Sequence, residues 1–466
     1  MNELGEKLSF EEAMVGFADR FNEKMKSRAI MLGLDGVPFT LLKNLQSRGR
    51  IPKMTSIFES GYFGQMSVCI PEISSVSWSS FMTGAQSGAH GIYGFIDLEP
   101  GTYNMYFPNF THLKVPPLWQ ELALQDKKSV VINMPSTYPA PKINGALISG
   151  FVAIDINKAV YPSSIIPNLK EISYRIDIDT ARARQDYDFL FRDLNSTLAG
   201  REMAVNFLWD EIDWELFIVV VTGTDRLMHF LWEAYESETH PYHRNFLDYF
   251  DKVDEFVGRI FDRFLGLNGS NEGLNKFYMI SDHGFTKIKT EVYLNRWLQE
   301  NGYLNFHKNQ PKTIMDIGSG AKAFILDPSR IYVNLKGKYP LGAVDHTSYD
   351  TVRKEIKQRL EALTFENGDK VIKKVYNKEE LYFGSNVDRA PDLIALSNAG
   401  YDLKGKVVSD AVFGRTSLTG MHSQDDAFFF SSDGTPCRSI FDAKDIVLEG
   451  LQPGHRGIQA PLSFGN

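Results

Sequence analysis

The apolar run Phe277-Tyr278-Met279-Ile280 breaks off into Ser281-Asp282-His283-Gly284. An aspartate and a histidine at a strand end offer a hard oxygen and an imidazole nitrogen to one divalent cation, and the glycine lets the backbone turn away. The pattern recurs. Ala29-Ile30-Met31-Leu32-Gly33-Leu34 ends in Asp35-Gly36, and the apolar run from Leu216 to Val221 leads to Asp225-Arg226-Leu227-Met228-His229. On a helix, residues four apart share a face, so Asp225 and His229 can grip one ion. His422 stands in Gly420-Met421-His422. Asp35, Asp225, His229, Asp282, His283 and His422 thus make six oxygen and nitrogen donors, a set that suits a pair of divalent metals.

Each of these residues also has a plainer reading. A strand-terminal aspartate such as Asp35 often caps the next helix. Asp225 and His229 could be a hydrogen-bonded pair on a helix surface. The run Ser74-Ser75-Val76-Ser77-Trp78-Ser79-Ser80 would on its own be a polar turn. The other histidines, at 90, 112, 240, 243, 307, 346 and 455, read as surface or structural groups, with His90 the exception to watch because it follows the serine turn. The case for chemistry rests on all of these features occurring together and in order.

Positioning such residues takes a layered scaffold. Apolar strand-like runs at 29–34, 64–70, 129–133, 216–221 and 277–280 alternate with helical patterns at 39–48, 52–60, 117–125, 186–209 and 242–265. The alternation predicts an α/β fold with a mainly parallel central sheet covered by helices on both faces, in which chemistry collects beyond the carboxyl ends of the strands. Residues 9–26 have the spacing of an amphipathic leader helix, and a helix is expected over 291–301. A β-α-β texture from 331 to 389 predicts a small inserted cap, with 1–330 and 390–466 forming the core and 391–396 returning to the main sheet.

With 466 residues, 43% hydrophobic and 23% charged, the chain reads as an ordinary globular protein. A net charge of −8 argues against a nucleic-acid polymer as partner and against a polybasic membrane patch. Two cysteines, Cys69 and Cys437, make no disulfide framework. The absence of a signal-like leader or of an apolar run long enough to span a bilayer predicts a cytoplasmic location.

The order of the motifs resembles the alkaline phosphatase superfamily, in its type I phosphodiesterase/nucleotide pyrophosphatase branch with related phosphohydrolases and phosphomutases. Asp35-Gly36, a hydroxyl nine residues before Thr83-Gly84, His90-Gly91-Ile92, Asp225 to His229, Asp282-His283-Gly284 and Gly420-Met421-His422 carry the likeness. The resemblance implies that Asp35, Asp282 and His283 hold one metal with the nucleophile Ser74 beside it, and that Asp225, His229 and His422 hold the other. Ser75 is the rival nucleophile, since a one-residue slip would exchange the two. Zinc is the expected metal and manganese the second choice. The expected activity is hydrolysis of a small-molecule phosphodiester or nucleotide pyrophosphate. The alternatives are a phosphomonoesterase, a phosphomutase, or a catalytically silent metal-stabilised binding protein.

Overall fold

The computed structural model describes residues 26–267, 274–415 and 417–452. The leader helix expected over 9–26 falls outside them except for Lys26.

An eight-stranded sheet forms the centre. Its strands run in the order Tyr62–Met66, Ala427–Ser431, Lys276–Ile280, Ala29–Leu34, Leu216–Val221, Ser129–Met134, Gly145–Ser149 and Val160–Tyr161. The five strands from Lys276–Ile280 to Gly145–Ser149 are parallel. Ala427–Ser431 pairs antiparallel with both its neighbours, and Val160–Tyr161 is antiparallel to Gly145–Ser149. The parallel centre is what the strand-helix alternation predicts; the antiparallel pairings at the two ends make the sheet mixed.

Side chains alternate across the central strands and feed two cores. Ile30, Leu32, Leu34, Phe217, Val219, Phe277 and Met279 face one layer, covered by the helices Phe39–Ser47, Pro52–Glu59, Tyr187–Glu211 and His243–Leu267. Met31, Leu216, Ile218, Val220, Tyr278 and Ile280 face the other, covered by Ser74–Thr83, Leu118–Ala123 and Ala443–Gly450. Burying one such aliphatic or aromatic side chain contributes about 1.5–3 kcal/mol, so the fully buried central strands are held by many such contributions. Gly33 lets the second layer close: a Cβ there would stand 2.6 Å from the Trp78 ring. The serine-rich helix can therefore lie directly on the strand that ends at Asp35.

A second sheet of four antiparallel strands runs in the order Ala323–Leu326, Arg330–Val333, Leu393–Ser397 and Ile372–Asn377. With the helix Tyr349–Glu361 it surrounds its own core, which includes Phe324, Ile331, Val333, Ile356, Leu360, Val375 and Leu393. Two expectations are corrected here. The segment at 391–396 forms a strand of this small sheet and does not return to the main one, because a short apolar run fits either sheet until a partner is supplied. The stretch expected as a helix over 291–301 begins as the strand Thr290–Tyr293, parallel to Tyr401–Lys404, and turns helical only at Leu294–Glu300. Buried Thr290 and Val292 favour the pleat there. Among the described residues, no helix is long and apolar enough to cross a membrane.

Candidate metal centre and nucleophile

Three neighbouring parallel strands deliver the acids. Asp35 follows Ala29–Leu34, Asp282 lies just past Lys276–Ile280, and Asp225 opens the helix Gly223–Glu236 that follows Leu216–Val221. His229 sits one turn after Asp225, ahead of the break in that helix at Leu231 (φ −136°, ψ 32°). His422 arrives on the short strand Gly420–Ser423, which pairs antiparallel with Gly284–Lys287 so that His422 stands opposite Phe285. All six expected donors converge at the carboxyl edge of the sheet.

Each histidine donates through Nδ1 to a backbone carbonyl: His229 to Gly420 at 3.0 Å, His283 to Gly284 at 3.1 Å and His422 to Glu72 at 2.8 Å. This fixes the tautomer and turns each Nε2 lone pair inward. The three Nε2 atoms surround Oδ1 of Asp225, which lies 3.4 Å from His229, 3.2 Å from His422 and 3.9 Å from His283. His283 Nε2 also stands 3.3 Å from Asp282 and 3.7 Å from Asp35. The Nε2 atoms of His229 and His422 are 3.0 Å apart. Two neutral rings with both Nδ1 positions protonated would oppose lone pairs there, and a shared cation or a proton on one ring removes the repulsion.

The carboxylates tell the same story. Oδ1 of Asp35 and Oδ2 of Asp282 are buried without a hydrogen-bond partner. Burial, reinforced by the other acids, pushes Asp35 well above the usual carboxylate range and Asp282 up to about 7. Asp225 goes the other way. Burial opposes its charge, but His229, His422 and Arg226 outweigh it and hold the carboxyl well below the usual range. Burial lowers His229 to about 4, and it would also lower His422 were the bond to Asp225 not to raise it. Orphaned, mutually repelling carboxyl oxygens facing inward lone pairs form a site suited to divalent cations. Two donor triplets lie within metal-bridging reach: Asp35 with Asp282 and His283, and Asp225 with His283 and His422. The second differs from the expected grouping: His283 takes the place expected for His229, and His229 belongs to neither triplet although its Nε2 lies 3.4 Å from Asp225 Oδ1.

Ser74 is the first residue of the helix Ser74–Thr83, whose positive end favours a developing oxyanion. Its Oγ lies 3.0 Å from His283 Nε2. The Ser75 hydroxyl is buried without a partner and makes no hydrogen bond to any of the six donors. His90 is fully buried outside this group; its Nε2 lies 3.1 Å from Ser80 Oγ, and its Nδ1 accepts from the Ile92 N–H.

A cavity of about 370 Å³ opens beside His229 and His422. It is lined by Glu72 and Phe95 of the main body, by Arg330 of the four-stranded sheet, and by Asp402 and Lys404 of the strand Tyr401–Lys404. Sequence reasoning did not anticipate these wall residues or Arg226, whose Nη1 donates to Asp225 Oδ2 at 2.8 Å. The position of Arg226 between two expected ligands was the only signal for it.

A family model described as type I phosphodiesterase / nucleotide pyrophosphatase matches residues 29–425. Among solved structures, phosphonoacetate hydrolase from Sinorhizobium meliloti 1021 in complex with phosphonoacetate is similar, with a TM-score of 0.59 and 16% identity over 92% of this chain and 96% of that one. Murine ectonucleotide pyrophosphatase / phosphodiesterase 5, in an inactive form in complex with AMP, gives a TM-score of 0.55 at 13% identity over 91% and 95% of the two chains. The human counterpart gives 0.54 at 12% identity over the same shares. At these identities the likeness is one of fold. No curated protein matches the chain.

Proposed function

Because the chain belongs to the type I phosphodiesterase / nucleotide pyrophosphatase family, and is by that membership a phosphoric ester hydrolase, we propose that it cleaves a small phosphodiester or nucleotide pyrophosphate with Ser74 as nucleophile and two divalent metals held by the six donors. One observation carries this reading. The Ser74 hydroxyl, at a helix N-terminus, lies 3.0 Å from the Nε2 atom by which His283 would bind a metal.

Asp35, Asp282 and His283 would hold one cation, and Asp225, His229 and His422 the other, with zinc preferred and manganese second for a mixed oxygen-nitrogen set. Such a pair, when bound, supplies positive charge to the entering and leaving oxygens of an in-line displacement. The chain's own residues set the geometry. Ser74 Oγ forms a bond to phosphorus as the bond to the alcohol or phosphate leaving group breaks, and the leaving group departs with the proton that Ser74 gives up. Water then cleaves the phosphoserine and returns the serine. The cavity beside His229 and His422 is placed to take the organic part of the substrate, with Phe95 offering a ring face and the segment at 331–389 acting with its neighbours as a cap.

The test is hydrolysis of bis-p-nitrophenyl phosphate against p-nitrophenyl phosphate by metal-stripped protein reloaded with zinc or manganese. The expected result is metal-dependent turnover that prefers the diester and is lost in Ser74→Ala. Equal turnover in Ser74→Ala would overturn the nucleophile, and turnover in chelator would overturn the metals. A phosphomutase is the second reading, favoured by the small sheet walling the cavity, since a cap that excludes water returns phosphate to substrate. Transfer without release of free phosphate would select it.

A further inference from the structure

The guanidinium of Arg226 has no part in the scheme above, yet it is bound to one of the six donors. Its Nη1 donates to Oδ2 of Asp225 at 2.8 Å, while the other oxygen of that carboxylate, Oδ1, faces the three histidine Nε2 atoms. The remaining edge of the guanidinium is also engaged: Nε and Nη2 donate to Oδ2 of Asp177 at 3.0 and 2.8 Å. The Phe151 ring covers one face, 4.3 Å from the guanidinium carbon. Both charged side chains are only 15% exposed.

Asp177 is itself anchored. Its loop is gripped from the long helix Tyr187–Glu211, where Arg201 donates to the carbonyls of Arg175 and Ile176 at 2.9 and 2.7 Å. Asp193 on the same helix accepts from the Asp179 backbone N–H at 2.8 Å and from Arg175 Nη2 at 2.9 Å. Asp193 and Arg201 are 3% and 2% exposed. A rigid helix thus fixes a loop, the loop fixes Asp177, and Asp177 fixes the fork of Arg226.

We infer that Asp177 and Arg226 are positioning residues for the metal centre: they occupy one oxygen of Asp225, so that it binds metal through Oδ1 alone, and they set a permanent positive charge beside its cluster of carboxylates. This rests on the metal reading given above. A carboxylate with both oxygens free can close on a cation in bidentate fashion, which raises the coordination number and takes up a position that substrate needs. A planar, always-charged fork held on its far side prevents that, whereas a lysine offers one mobile donor.

The test uses the full chain stripped of metal and titrated with cobalt(II), whose visible absorption reports coordination number and whose binding isotherm reports affinity. Arg226→Met and Asp177→Asn are expected to weaken cobalt binding by about 10–100-fold, the usual effect of losing a partner of a ligand. They are also expected to lower the visible band at least about twofold as Asp225 becomes bidentate and coordination rises above four. Arg226→Lys should recover part of the affinity without recovering the band. Folded variants, checked by circular dichroism, that keep wild-type affinity and spectrum would overturn the inference. Should Arg226→Met not fold, the more conservative Asp177→Asn decides by the same two readouts. A wild-type chain that takes up no cobalt would overturn the metal reading itself, and this inference with it, whereas a wild type that loads normally beside unchanged variants overturns the positioning role alone.

Discussion

Oγ of Ser74 and Nε2 of His283 lie 3.0 Å apart although 209 residues separate them in the chain. Ser75, the next residue on the same helix, turns its hydroxyl into a buried place with no partner. Ser74→Ala is therefore expected to lower kcat for a diester by about 10³-fold or more, the size typical of losing a nucleophile. Ser75→Ala should stay within a few-fold of wild type. Steady-state kinetics on both variants decide the matter, and the reverse order of effects would move the nucleophile to Ser75.

Metal counting separates the two halves of the centre. Elemental analysis of zinc-loaded wild type should give two ions per chain. Asp282→Asn and His422→Ala should each give about one, because each removes a donor from a different set. Loss of both ions in either variant would mean a single cooperative site instead of two.

His90 predicts a pH dependence. Burial lowers it to about 3, so the folded chain keeps the ring neutral where the unfolded chain, with an ordinary value near 6.5, takes up a proton. Between those values the unfolded state binds more protons. The stability that His90 contributes is thus present above about pH 6.5 and is lost as pH falls toward 3. Between pH 6.5 and 4.5 it should cost about 2–3 kcal/mol at 1.36 kcal/mol per pH unit. Urea unfolding of His90→Asn should be weaker at neutral pH and flatter with acidification. A slope equal to wild type would refute the assignment.

Asp254 provides a control remote from the centre. From the helix His243–Leu267 its carboxylate accepts the backbone N–H groups of Lys53 and Met54, at 3.0 and 2.7 Å, and so caps Pro52–Glu59 from a distance. It is 1% exposed. Asp254→Ala should lose about 1–3 kcal/mol of unfolding free energy, with kcat unchanged in the surviving folded protein. A drop in kcat as large as that of Ser74→Ala would show that this cap reaches the site.

Much of this architecture was legible in the residues. Leu216–Val221 is the strand its apolar run predicts, and the helices beginning near Phe39 and Pro52 start where expected, because period and punctuation are local signals. The convergence of Asp35, Asp225 and Asp282 was legible too, since each follows a strand that belongs at the centre of a parallel sheet. What escaped depends on partners. Leu393–Ser397 carries nothing to say which sheet receives it. Arg226 reads as an ordinary helical arginine until Asp177 is brought 49 residues back to meet it. Which histidines surround Asp225 likewise follows from packing and not from spacing.

The pairing of Gly420–Ser423 with Gly284–Lys287 governs when the centre can exist. A slip of one residue in that ladder would turn His422 to the opposite face, so the sixth donor depends on strand register. It is also made after the other five donors. A nascent chain ending before Gly420 carries Ser74 and five of the donors but lacks the strand that brings the last one. The six candidate donors can therefore assemble only after Gly420–Ser423 is made, and a chain stalled short of it would hold five of them beside Ser74 with the last one missing.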